Sequence, residues 1–216
     1  MTKKKKMAII AMLIAGSICL NLLIPRSVHA DSPNPESAVG TGSNRSPTNG
    51  LGSWIWAPKV ADNQTVSLWK SFEISDSSRI SRAKLSMTAD DKFTVFLDGH
   101  ELGHGAEWRE LFIFDLTPLL SSGQHVLAVK AFNSRSSAGM ILGLQIDLAD
   151  GTHIAIKSDS DWKVVPDDIE DWKKVTQAAP DWQAAVVKAP LGGSPWWDRP
   201  LTVNVMPKLS PTEVHH

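Results

Sequence analysis

The stretch KFTVFLDGHELGHG, residues 92–105, decides between two folds for this chain. Its first part alternates apolar and polar residues, with Phe93, Val95 and Leu97 on one face, which is typical of a strand. Asp98-Gly99 then forms a strong hairpin-turn signal. The letters that follow, HELGH at 100–104, match the HExxH signature that binds zinc when it lies on a helix. The two interpretations exclude each other, because a helix and a strand place the two histidines differently.

Helical geometry is required for the zinc interpretation. Two histidines four residues apart share a metal ion only when a helical turn brings them to within about 6 Å, whereas on a strand they lie about 13 Å apart. Three glycines, at positions 99, 103 and 105, each weaken a helix by about 1 kcal/mol relative to alanine. The sequence therefore favours the hairpin. A zinc hydrolase that uses His100, Glu101 and His104 is the less favoured alternative.

Similar short alternating runs recur on both sides of this hairpin. Strand candidates are Trp54–Trp56, Val66–Ile74, Ala83–Ala89, Leu111–Phe114, Val126–Phe132, Met140–Leu148 and His153–Ile156. Turn signals separate them, and no long segment keeps the 3.6-residue period of a helix. This pattern predicts an all-β fold, an antiparallel β-sandwich or jelly roll.

The N-terminus carries the features of a secretory signal peptide at residues 1–30. Lys3 to Lys6 form a basic region, an apolar run follows, and Val28-His29-Ala30 resembles a cleavage site. The chain is therefore expected to be secreted or periplasmic, with an uncleaved membrane anchor as the alternative. The single cysteine, Cys19, lies inside this segment, so the mature chain would contain no disulfide.

Composition divides the remaining chain into a linker, one domain and a tail. Residues 31–50 are rich in Ser, Pro, Asn and Gly and are expected to be a disordered linker. Residues 51–205 are long enough for one β-sandwich with a full core, and residues 206–216 are expected to be a disordered tail.

Removing residues 1–30 takes away five basic residues and no acidic one, so 22 basic and 23 acidic residues become 17 and 23, a net charge near −6. An acidic domain without basic runs is not expected to bind nucleic acid.

Several segments together resemble a known family. The stretches AKLSMTADDKFTVFLDGHELGHG, FDLTPLLSSGQHVLAVKAFN and GGSPWW occur in an order similar to that of the galactose-binding-like β-sandwich, the non-catalytic module attached to bacterial alpha-L-rhamnosidases. The resemblance covers roughly residues 52–200 and implies a jelly-roll fold and an accessory role. It also places the HExxH letters on β-structure. The helical catalytic barrel of a rhamnosidase is missing from this chain, so a freestanding module is expected.

A sugar site needs an aromatic platform and polar groups, because ring faces pack on sugar C–H groups while carboxylates and amides bond to hydroxyls. The chain has nine tryptophans and no tyrosine. The platform candidates are Trp108, in a loop rich in glycine and charge, and Trp197, in the GGSPWW segment. The polar candidates are Asp90, Asp91 and Asn133. Calcium, which prefers six to eight oxygen ligands, is a possible cofactor at these three residues; simple turn formation is the alternative.

Structural roles are expected for most of the other tryptophans. Core positions are predicted for Trp54, Trp56, Trp69 and Trp162. Trp54 and Trp56 are two residues apart and are expected to share a buried face. Of the pair Trp196-Trp197, one is expected to close the core while its neighbour faces outward.

The predicted function is that of a secreted, non-catalytic module that binds carbohydrate. A glycosidase needs two facing carboxylates, and no spacing in the sequence indicates that any two converge. No Gly-x-Ser-x-Gly elbow, phosphate loop or dinucleotide fingerprint occurs either. The alternative partner is an envelope protein, bound by a sandwich that lacks a sugar site.

Overall fold

The computed structural model describes residues 46, 48–75, 79–197 and 202–210. Within these residues the chain forms strands and turns and no helix. The strands are β1 (Trp54–Trp56), β2 (Gln64–Ile74), β3 (Ile80–Asp90), β4 (Lys92–Leu97), β5 (His100–Ala106), β6 (Glu110–Asp115), β7 (Gly123–Asn133), β8 (Gly139–Leu148), β9 (His153–Lys157), β10 (Lys163–Val165), β11 (Gln183–Ala184), β12 (Val186–Ala189) and β13 (Thr202–Val205). The predicted signal peptide and nearly all of the predicted linker lie outside the described residues.

The strands form two sheets. The seven-stranded sheet has the order β12-β1-β8-β3-β6-β13, with β9 also paired to β8. The six-stranded sheet has the order β11-β10-β2-β7-β4-β5. Neighbours pair antiparallel except β13, which runs parallel to β6 at the edge of the first sheet. The predicted antiparallel sandwich is confirmed.

Side chains from the facing surfaces of both sheets make one core, as the alternation in the sequence predicts. The seven-stranded sheet contributes, among others, Ala83, Leu85, Met87 and Ala89 of β3, each buried. The six-stranded sheet contributes Phe93, Val95 and Leu97 of β4 and Leu127, Val129 and Ala131 of β7. This burial of alternate residues holds the sheets together and leaves their outer faces for other contacts.

The hairpin that decides the fold joins β4 to β5. Asp98 and Gly99 have φ angles of 51° and 88°, the pair of positive values that a two-residue type I′ turn requires. The turn places His100 and His104 on β5, where the shift in register between Val95 and Phe96 leaves Leu102 buried in the core. The prediction that the HExxH letters lie on a strand is confirmed.

The outer face of each sheet carries a smaller apolar cluster. On the seven-stranded sheet, Trp54 and Trp196 stack with their ring centroids 4.4 Å apart. On the six-stranded sheet, residues 166–182 cross over Trp69, whose indole N–H donates to the carbonyl of Val175 at 2.8 Å. Trp182 meets Trp69 edge to face at 5.4 Å.

The predicted core tryptophans are all buried, but one detail of their packing was wrong. Trp54, Trp56, Trp69 and Trp162 are each at most 4% exposed. Trp54 and Trp56, however, belong to different clusters, since Trp56 enters the central core and Trp54 lies on the outer face. The ladder between β1 and β12 shifts register after Trp54, and such a bulge reverses the side to which a residue points.

Part of the predicted tail contacts the sandwich. Met206 donates its backbone N–H to the carbonyl of Ile113, and Met206 and Leu209 pack against the central core. In the described part of the chain, no helix is long and apolar enough to cross a membrane.

Candidate functional site

A cleft of about 340 Å³ opens at one end of the sandwich, where several strands stop. β3 ends there at Asp90, β4 begins after Asp91, and β7 leads into the loop 134–137. Trp108, on the loop between β5 and β6, and the segment 195–196 complete the walls. The loops that line the cleft are thus fixed by the two sheets beneath them.

Two adjacent carboxylates dominate the electrostatics of the cleft. The indole N–H of Trp196 donates to Oδ2 of Asp90 at 2.9 Å. Burial, together with the neighbouring negative charges of Asp91 and Glu107, raises the pKa of Asp90 to about 6 despite that hydrogen bond. The two carboxylates interact directly, so the ionisation of each affects that of the other.

Asp91 is anchored by the loop that follows β7. Burial opposes its ionised form, but hydrogen bonds from the backbone N–H of Ser134 at 2.7 Å and its hydroxyl at 2.5 Å hold the pKa of Asp91 below its usual value. Both bonds go to Oδ2. The backbone N–H of Asp91 donates to the carbonyl of Phe132, which ties the residue to the end of β7.

Trp108 is half-buried and stands between this cleft and a smaller one of about 170 Å³. The guanidinium of Arg109 lies 4.3 Å from the ring centroid of Trp108 and is itself held by the carboxylate of Glu107 at 3.1 Å. One face of the indole is therefore occupied by a cation. A ligand in the cleft would meet the part of the ring that Arg109 leaves uncovered.

The two tryptophans of GGSPWW have opposite environments, as predicted. Trp196 is 4% exposed and stacks on Trp54, whereas Trp197 is 61% exposed. Trp197 lines the smaller cleft together with Trp108, Arg109 and Pro195. It is therefore adjacent to the carboxylate pair but does not share its cleft.

Asn133 lies beneath the surface rather than on the wall of the cleft. Its side chain is fully buried, and its Nδ2 donates to the carbonyl of Ala61 at 2.8 Å. Its Oδ1 is a buried acceptor with no hydrogen-bond partner among the described residues. The structure thus brings together Asp90, Asp91 and Trp108, with Trp197 next to them and Asn133 behind.

Sequence reasoning missed two contributors to the cleft. The polar loop Ser134-Arg135-Ser136-Ser137 lines it, and Trp196 orients Asp90. A run of polar residues between two strong strand patterns was a signal for the loop. The contact between Trp196 and Asp90 joins residues 106 positions apart, and no local pattern indicates it.

The HExxH residues do not form a metal centre. His104 Nδ1 and Glu101 Oε1 are 3.3 Å apart on the same strand. Among the residues that the structure describes, no three His, Cys, Asp or Glu side chains are grouped so as to hold a metal ion. Both histidines lie on β5, and a strand holds residues four apart about 13 Å from each other, too far to share one metal ion.

The sequence of this chain is similar to part of a known protein. No protein-family model matches it. An alpha-L-rhamnosidase of Streptomyces avermitilis is 30% identical over 155 residues, which cover 67% of this chain and 15% of that protein. This chain resembles a part of the alpha-L-rhamnosidases. It spans about a seventh of the length of the curated relative that it matches.

Solved structures agree with this resemblance. The crystal structure of the Streptomyces avermitilis alpha-L-rhamnosidase complexed with L-rhamnose matches with a TM-score of 0.62 and 27% identity, over 74% of this chain and 17% of that one. A lectin from Pleurotus ostreatus in complex with GalNAc matches with a TM-score of 0.59 and 21% identity, over 68% of this chain and 46% of the lectin, and so shares the fold. The chain therefore shares a β-sandwich fold with the lectin and resembles a part of the rhamnosidases.

Proposed function

We propose that this chain is a secreted, non-catalytic module that binds carbohydrate in the cleft at Asp90 and Asp91. The observation that carries the proposal is the convergence of this carboxylate pair with Trp108 and a serine-rich loop in one open cleft. Carboxylates accept hydrogen bonds from sugar hydroxyls, and serine hydroxyls both donate and accept. The aromatic edge supplies the apolar contact that sugar C–H groups need.

L-rhamnose is the first sugar to test. The Streptomyces avermitilis enzyme that this chain resembles was solved with L-rhamnose, and that resemblance supports the same sugar as a ligand here. A 6-deoxy sugar presents a methyl group beside its hydroxyls. The half-buried ring of Trp108 and the acceptors of Asp90 and Asp91 fit those two parts of the ligand.

Calcium is proposed as a cofactor of the same site, on the chemistry of its oxygen atoms. Asp90 and Asp91 present hard carboxylate oxygens, and the Oδ1 of Asn133 is a buried acceptor without a partner among the described residues. These are the donors that calcium prefers. When bound, the ion would neutralise the carboxylate pair and offer open coordination positions to sugar hydroxyls.

The carboxylate pair supports binding rather than hydrolysis. A retaining glycosidase separates its two carboxyl groups by about 5–5.5 Å and an inverting one by about 6.5–9.5 Å, so that the sugar lies between them. Asp90 and Asp91 are consecutive residues whose carboxylates interact directly, so they do not face each other across a sugar ring. Secretion is proposed on the strength of the basic and apolar N-terminal segment.

A glycan-array screen of the purified full chain, run in calcium and again in EDTA, tests the proposal. Binding to rhamnosides that is lost in EDTA is the expected result. Asp90→Asn and Trp108→Ala should abolish it, while the control Asp167→Asn, at an exposed position of the segment 166–182, should not. A blank array from a folded sample would contradict sugar binding and favour an envelope protein as the partner.

A further inference from the structure

A second opening lies on the outer face of the six-stranded sheet. The segment 166–182 covers one half of this face, where Trp69, Phe96 and Val126 are buried. The other half is open and forms a groove of about 480 Å³. Its lining differs in chemistry from the covered half, since it includes Lys92, Lys130 and His104.

The strand register arranges the groove in two rows across four strands. The first row consists of Lys130, Thr94 and His104, on β7, β4 and β5, and continues outside the groove to Ser67 on β2. The second row consists of Thr65, Phe132, Lys92 and Ala106 on the same strands. Adjacent strands are about 4.8 Å apart, so each row spans about 14 Å.

Positive charge is concentrated between these rows. Lys130 lies opposite Thr94 and Lys92 opposite Phe132, so the two lysines are diagonal neighbours on adjacent strands, with Cα atoms about 7 Å apart. Both lysines are exposed, and neither takes part in the ion pairs found in the described part of the chain. The nearby carboxylates are Glu101, which contacts His104, and Asp91, which acts on Lys92 through space.

The remaining lining is suited to a sugar. Phe132 is a half-buried aromatic ring between the lysine-bearing positions, and Thr65 and Thr94 add hydroxyl groups to the lining. An aromatic ring can pack on the C–H face of a pyranose, and hydroxyl groups can bond to the hydroxyls of the sugar. Lysine side chains can pair with a carboxylate that the pyranose carries. Two lysines and one histidine are too few to neutralise the six to ten phosphates of a typical nucleic-acid footprint.

We infer that this groove binds a carboxylated oligosaccharide, one that contains uronic acid residues, at a site separate from the cleft at Asp90 and Asp91. The carboxylate would lie between Lys92 and Lys130, and the face of the sugar ring on Phe132. The inference does not depend on the cleft binding sugar. The chain as a whole has a net charge of −1, so it does not attract anions in general. The attraction for a carboxylate therefore comes from Lys92 and Lys130 in the groove.

The test is calorimetric titration of the purified full chain with oligogalacturonic acid and with its fully methyl-esterified form, at 20 mM and 300 mM salt. The acid should bind and the ester should not, and salt should weaken binding because the ion pairs are exposed. Lys92→Gln/Lys130→Gln should weaken binding at least tenfold. The control Arg82→Gln/Lys157→Gln removes the same charge from exposed positions of the other sheet and should leave binding unchanged.

Three outcomes would overturn the inference: no binding of the acid, equal binding of the ester, or binding that is insensitive to the Lys92→Gln/Lys130→Gln pair. Equal or tighter binding of polyglutamate or of single-stranded DNA would also overturn it, in favour of another class of anion. Trp108→Ala and Asp90→Asn separate the two sites, because they should abolish binding in the cleft and leave the titration with the acid unchanged.

Discussion

His125 is a buried histidine that lies between two hydrogen-bond acceptors. Its Nδ1 lies 2.7 Å from Oδ2 of Asp98 and its Nε2 lies 2.9 Å from the carbonyl of Ser121. Only the protonated imidazolium can donate to both acceptors. Burial lowers the pKa of His125, but the hydrogen bonds to Asp98 and Ser121 outweigh it and raise the pKa above its ordinary value.

This contact makes the free energy of unfolding depend on pH. The folded-state pKa of His125 is raised. The stabilisation that His125 adds to the free energy of unfolding is therefore complete below about pH 6.5 and is lost as the pH rises through the native pKa. Asp98→Asn keeps a residue suited to the turn and removes the charge. We expect this substitution to lower the free energy of unfolding by about 1 kcal/mol at pH 5.5, a modest amount because Asp98 is partly exposed. At pH 9 it should lower the free energy of unfolding by less. Urea unfolding at both pH values measures this; an equal cost at both would contradict it.

Asp90 gives a pH dependence in the same direction as His125, because its folded-state pKa is raised as well. Burial raises the pKa of this acid to about 6, so the native state holds a proton that the unfolded state releases near pH 4. Stability from this group is present below about pH 4 and is lost as the pH rises through about 6. In EDTA at pH 7.5, Asp90→Asn should therefore stabilise the fold by about 1 kcal/mol while abolishing ligand binding. Thermal unfolding measures the increase in stability. A decrease at pH 7.5 would contradict the prediction, because it would show that the fold stabilises the ionised form of Asp90.

The sequence indicated only part of what these residues do. Asp98 was predicted as a turn residue, and its φ of 51° confirms that role. Its bonds to His125 and to the backbone N–H of Val126 join positions 27 and 28 residues away, and only the register of the sheet brings them together. Asp90 and Asp91 were found because they stand where a strand gives way to a loop, whereas their partner Ser134 comes from another strand end.

At the scale of elements, the long strands were predictable and the short ones were not. β3, β7 and β8 are ten or eleven residues long and rich in apolar residues, so their existence follows from the sequence. β12 and β13 have four residues each and are mostly exposed, which leaves no alternation to detect. They are strands because the edges of the seven-stranded sheet offer them backbone partners.

The hairpin turn offers a test at this scale. Gly99 and Gly151 both have φ of 88°, a conformation that alanine adopts at a cost of about 1 kcal/mol. A Cβ at Gly151 would meet nothing within 4 Å, whereas one at Gly99 would lie 2.5 Å from Cγ of Lys174. Gly99→Ala should therefore destabilise the fold more than Gly151→Ala, as measured by urea unfolding. The difference should vanish in a Lys174→Ala background, and its persistence there would show that Lys174 is not its cause.

At the scale of the whole molecule, the sandwich presents two surfaces of different chemistry. One end carries the cleft with the carboxylate pair, and the open half of the six-stranded sheet carries the lysine groove. The class of the fold could be predicted from turn spacing and alternation. Asp90, Asp91 and Trp108 of the cleft were also named from the sequence, but their convergence and the whole of the lysine groove were not, because each surface is assembled from four separated segments. The irregular sequence of the segment 166–182 likewise does not indicate which face of a sheet it covers.

The most direct test of sugar binding in the cleft is an NMR titration that follows the nine tryptophan indole N–H signals of the nitrogen-15-labelled full chain as L-rhamnose is added in calcium. The account predicts shifts of Trp108, which lines the cleft, and of Trp196, whose N–H bonds to Asp90. Trp162, buried in the central core, should not move. Saturating sugar that shifts none of the signals, or shifts only tryptophans remote from Asp90, would contradict the proposed site.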